Sequence, residues 1–80
     1  MTFDEYFRQT LRDELETRIA HRQRLTQAEL SESIGKSSSW IGQYFSGNVE
    51  CIDADDFVKA CQALGISPSL VMYKFETDGK

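Results

Sequence analysis

The chain has 80 residues, 40% of them hydrophobic, and carries 13 acidic residues against 9 basic ones for a net charge of −4. This length allows one domain over residues 1–80, small but within the range that folds alone, and the apolar share without any low-complexity tract excludes a disordered chain. No apolar run approaches the ~20 residues of a membrane span, and the amino terminus opens on charged amphipathic sequence rather than a signal peptide, so the cytoplasm is the expected location.

Thr2 and Glu5 form a capping box, and no Gly or Pro interrupts residues 3–24, so the spacing predicts a long first helix over about 3–23. Phe3, Phe7, Leu11, Leu15 and Ile19 recur every four positions. Such a repeat drifts about 40° per step on a helix of 3.6 residues per turn. Phe3 and Phe7 are therefore expected to point away from the face that Leu15 and Ile19 press on the rest of the chain, and to need another partner. Arg18, His21, Arg22 and Arg24 make the end of this helix basic.

A second start follows at Thr26, whose hydroxyl can accept the Glu29 N–H while Glu29 reaches back, with Leu25 and Leu30 at the staple positions around that box. The helix it opens, about 27–34, carries Ala28, Leu30 and Ile34 inward and stops at Gly35. Lys36 and the serines 37–39 read as a tight turn, with Ser37 as the next N-cap. A third helix then runs through Trp40, Ile41, Tyr44 and Phe45 to Gly47, with Ile41, Tyr44 and Phe45 on one buried face. Two short helices joined by a turn thus occupy about 26–46.

Asp53, Asp55 and Asp56 suit the first turn of a fourth helix, where the macrodipole favours negative charge. Cys61 reads as a core thiol within it and Cys51 as a loop residue. Ser67 and Pro68 are the N-cap and first residue of a last helix over about 68–75, with Ile66 and Val71 as its staple. Leu70, Val71, Met72, Tyr73 and Phe75 spread around that helix, more apolar surface than one small core takes up. Phe3, Phe7, Leu70, Tyr73 and Phe75 are accordingly expected at an interface between two copies of the chain. The alternative is that the first helix folds over the last within one monomer.

The segments LTQAEL, IG, SSSWIGQYFSG and FVKACQALGIS, in this order and spacing, resemble the Cro/CI-type (XRE) helix-turn-helix family, over roughly residues 15–72. The resemblance implies an all-α, compact five-helix bundle of lambda-repressor-like type with a long first helix, and double-stranded DNA as partner. It also implies Gln27 as a phosphate contact at the start of the first motif helix, where the helix terminus favours an anion. Ala20 and Phe45 stand where many members carry a buried Arg–Glu pair; an apolar pair of suitable volume can be as stable as such an ion pair, so the replacement need not harm the fold.

In the second motif helix, Ser38, Ser39 and Gln43 project opposite Ile41 and Tyr44 and are the candidates to meet base edges, Gln being suited to adenine. Lys36, Ser37, Ser46 and Asn48 are candidates for backbone contacts, or simply turn and cap residues. Trp40 either packs over a thymine methyl or the sugar-phosphate backbone, or caps the core. The charge distribution is unhelpful to DNA binding: residues 49–80 hold six acids against three Lys, and residues 25–48 hold Glu29 and Glu32 against Lys36. Affinity is therefore expected to rest on few phosphate contacts and on dimerisation. Two Cys ten residues apart and one His make no metal pattern, and no nucleophile accompanies His21, so no metal, cofactor, small-molecule ligand or enzymatic activity is expected. The sequence thus points to a regulator, most simply a repressor that occludes a promoter as a dimer on a palindromic operator with half-sites about 34 Å apart. The alternative is an acidic protein-interaction module that keeps the helix-turn-helix fold without DNA binding.

Overall fold

The computed structural model describes residues 2–20 and 25–78, the side chains of residues 19, 20 and 78 excepted. Five helices make up the fold: α1 (Phe3–Ala20), α2 (Gln27–Ser33), α3 (Trp40–Ser46), α4 (Ala54–Leu64) and α5 (Pro68–Asp78). This is the all-α bundle expected, with no strand among the described residues. The expected continuation of the first helix to Gln23, the contacts of Ile19 and Ala20, and the basic residues His21, Arg22 and Arg24 lie outside the described residues.

Local signals account for most helix ends. The Thr2 hydroxyl accepts the Glu5 N–H at 3.2 Å, and the Thr26 hydroxyl accepts the Glu29 N–H at 3.0 Å while donating to the Glu29 carboxylate at 3.1 Å. Gly35 closes α2 with φ at +77°, which only glycine adopts without strain. Its N–H donates to the Glu32 carbonyl and the Lys36 N–H to the Ser31 carbonyl, both at 3.0 Å, the paired bonds of a Schellman motif. Ser67 Oγ accepts the Leu70 N–H at 3.3 Å to open α5, which continues past the expected end at Phe75 to Asp78.

The start of α3 differs from expectation. Its N-cap is Ser39, whose side chain makes no capping bond, and Ser37 contributes only its carbonyl, which accepts the Trp40 N–H at 3.0 Å. The physical reason lies in α2. Ser31, wholly buried, donates its hydroxyl to the Gln27 carbonyl at 2.9 Å and accepts the Ile41 N–H at 2.9 Å. An orphan donor of the α3 first turn is thus satisfied by a residue of the preceding helix, and the same bond sets the angle between the two. Ser31→Ala should lower the unfolding free energy by about 1–3 kcal/mol, because the Ile41 N–H is left buried without a partner. Urea denaturation measures this, and a loss within error of zero would show that the bond does not hold the two helices.

The core draws on every helix: Phe7, Leu11 and Leu15 from α1, Leu30 and Ile34 from α2, Ile41 and Tyr44 from α3, Phe57, Ala60, Cys61 and Leu64 from α4, and Val71 from α5. Burial pushes the Cys61 thiol up to about 11, while Cys51 is exposed. Two expectations are corrected here. Phe7 is fully buried in the chain's own core, not at a surface, and Phe3 is packed against that core. Phe3 stacks on Phe7 at 5.7 Å and meets Phe57 and Phe75 edge-on at 5.3 and 5.4 Å. Phe7 meets Phe57 at 4.8 Å, and Tyr6 lies 5.5 Å from Phe75. The drift of the four-residue repeat therefore carries the apolar stripe of α1 from the α2–α3 side to α4 and α5 of the same chain. Phe45, the second correction, is only half-buried and lies beneath the Arg12 guanidinium at 4.9 Å. Of the residues expected at an interface, Leu70 and Tyr73 remain exposed, at 49% and 64%, and Phe75 is half-buried against α1.

Candidate nucleic-acid interface

The α2–α3 unit presents a row of hydroxyls and amides. Ser37, Ser38, Ser39 and Gln43 are all exposed, and the Gln43 side-chain amide donates to Ser39 Oγ at 3.2 Å. That bond holds Gln43 along the helix and leaves its carbonyl and a second N–H for other partners. Gln27 is exposed at the start of α2. Its Oε1 lies 3.4 Å from where a Cβ on Gly42 would sit, an ordinary contact distance, so the Gln27 amide reaches across to the surface of α3. Ser46 donates to the Gln43 carbonyl at 3.0 Å, a bond within the helix end, and Asn48 is exposed just beyond Gly47, whose φ of +90° ends α3.

Trp40 and Lys36 sit together on one side of this row. Trp40 is half-buried against the core, stacked on Tyr44 at 5.6 Å with an interplanar angle of 14°. Lys36 Nζ lies 5.8 Å from the Trp40 ring centre and 3.2 Å from the Asp56 carboxylate. Its charge is matched by a nearly buried acid of α4. Arg18, at the basic end of α1, bonds the Glu14 carboxylate at 2.7 Å and the Leu64 carbonyl at the end of α4. The described face of the α2–α3 unit is therefore polar and close to uncharged, and an acid or a carbonyl engages each of these two cations.

The rear of α3 is held by α1, through residues that the sequence reading did not single out. α3 has seven residues and no basic residue in its last turn, so its terminal carbonyls lack the local cation that a helix C-terminus favours. Arg8 supplies it. Nε donates to the Tyr44 carbonyl at 2.6 Å and Nη2 to the Val49 and Glu50 carbonyls, both at 2.9 Å, while the guanidinium lies 4.6 Å from the Tyr44 ring centre. Arg12, one turn on, donates to the Phe45 carbonyl at 3.1 Å. Asp4, one turn back, accepts the Tyr44 hydroxyl at 2.7 Å and the Ile52 N–H at 3.1 Å. Burial, then the Asp4 hydrogen bond and charge, hold the Tyr44 hydroxyl far above the usual phenol range, so it stays a neutral donor. The one signal in the sequence was the spacing of Asp4, Arg8 and Arg12, which share a helix face.

Among the described residues no group of three His, Cys, Asp or Glu could hold a metal ion, and no helix is long and apolar enough to cross a membrane. Compared with known proteins, residues 16–71 match the model of a family described as helix-turn-helix. No curated protein and no solved structure matches the chain.

Proposed function

The chain belongs to the Cro/CI-type helix-turn-helix family, a family of DNA-binding transcription regulators rather than enzymes, and from that premise we propose that it is a cytoplasmic repressor that binds a palindromic operator as a dimer. The observation that carries this reading is the exposed row of Ser38, Ser39 and Gln43 on α3, on a helix whose angle is set by the buried Ser31 bond. α3 enters the major groove, with Gln43 on adenine and the serines on neighbouring base edges. Gln27, Lys36, Ser37, Ser46 and Asn48 meet the flanking backbone, and Trp40 packs at the edge of the contact. The second copy doubles the contacts, joined through Leu70 and Tyr73 of α5. Repression is by occlusion of the promoter, since the domain itself reads and blocks.

The second reading, an interaction module without DNA binding, draws on the acidic balance and on the pairing of Lys36 with Asp56. Selection on random duplexes at low salt separates the two. The regulator enriches one sequence, and Gln43→Ala relaxes the preference at one base step by about 1–3 kcal/mol while leaving the rest of the site intact. Enrichment of no sequence by the unaltered protein overturns the regulator reading.

A further inference from the structure

The family match begins at residue 16, so Asp4, Arg8 and Arg12 lie in a part of α1 that precedes it. Yet these three residues hold the back of the helix that carries the reading face. A seven-residue helix is too short to hold itself by its own hydrogen bonds, so where it lies is decided by what grips its two ends. Ser31 grips the first turn. At the other end Arg8 gathers three carbonyls, one from α3 and two from the loop to α4, and Asp4 ties the Tyr44 hydroxyl to the Ile52 N–H of the same loop. Arg8 is half-buried, and its carbonyl bonds and its place over the Tyr44 ring turn it inward.

We propose that Arg8 is a specificity-determining positioning residue: without touching DNA, it fixes the pitch of α3 so that Ser38, Ser39 and Gln43 meet base edges together. The inference rests on the DNA-binding reading above. Charge-assisted bonds from one planar fork to three carbonyls constrain direction as well as distance, which the single compact ammonium of a lysine does not do. Base-edge hydrogen bonds are lost steeply with small displacements, whereas phosphate attraction tolerates them. Loss of Arg8 should therefore degrade discrimination and spare non-specific binding.

The test compares the unaltered protein with Arg8→Gln and Arg8→Lys, below the melting range of all three, on the selected duplex and on a scrambled one at several salt concentrations. Arg8→Gln should reduce the ratio of the two affinities by about tenfold or more, with non-specific affinity and the salt slope unchanged, and Arg8→Lys should fall between. Val71→Ala, a core change remote from α3, serves as the stability control and should leave the ratio alone. An unchanged ratio in Arg8→Gln overturns the proposal, as does an equal fall in Val71→Ala or a reduced salt slope that would place Arg8 on a phosphate. Should the unaltered protein discriminate between no two duplexes, the DNA-binding reading falls and takes this one with it. A discriminating protein with an indifferent Arg8→Gln removes this proposal alone.

Discussion

Phe7→Ala should lower the unfolding free energy by about 3–5 kcal/mol, the range for truncating a buried phenylalanine. Phe7 is wholly buried and sits between Phe3 and Phe57, so its ring has no route to collapse into and the cavity stays open. A chain of this length commands about 4–12 kcal/mol in total, and each kcal/mol shifts the melting temperature by about 4–8 °C. The melting temperature should therefore fall by about 12–40 °C. The difference from the unaltered protein should be the same in dilute and concentrated samples, because the lost contacts lie within one chain. Thermal melts across a range of concentration check this. A loss that appears only where the protein associates would return Phe7 to a subunit interface.

The second large effect concerns α5. Leu70 and Tyr73 are three residues apart on one side of the helix and are exposed. Leu70→Glu combined with Tyr73→Glu should therefore leave the melting temperature of the monomer little changed, as surface substitutions do. Four added carboxylates across the two facing copies of the proposed dimer would nonetheless repel, and that dimer should dissociate. Affinity for a palindromic site should then fall by about a hundredfold or more, while affinity for an isolated half-site stays constant, because the linkage between half-sites and not the contact itself is removed. Sedimentation equilibrium together with binding to full and half operators measures both arms. A doubly substituted protein that still sediments as a dimer would place the interface on another surface.

The structure divides the apolar surplus of the end helices. Phe3, Phe7 and Phe75 answer one another and Phe57 within the chain, whereas Leu70 and Tyr73 have no such answer among the described residues. The four-residue spacing in α1 correctly indicated a stripe that turns around the helix. Its destination was not contained in that spacing, since Phe3 and Phe75 lie at opposite ends of the chain. The cations show the same division. Arg18, Lys36, Arg8 and Arg12 look alike in sequence, yet three of them end on carbonyls at or beyond helix ends and one on a nearly buried acid.

What the amino-acid sequence determined by itself was set within a few residues. The capping box at Thr26 and Glu29, the left-handed Gly35, the proline opening of α5 and the exposure of Ser38, Ser39 and Gln43 all depend on groups within about one or two helical turns of each other, so propensity and periodicity suffice to read them. The tertiary structure alone decided which groups of distant segments meet. Ser31 replaces Ser37 in satisfying the first turn of α3, Arg8 satisfies carbonyls at residues 44, 49 and 50, and the aromatic side chains of α1 close on α4 and α5 instead of on a second copy. A buried donor or acceptor takes whatever partner packing brings within about 3 Å. That choice belongs to the assembled fold and to no local stretch of the chain.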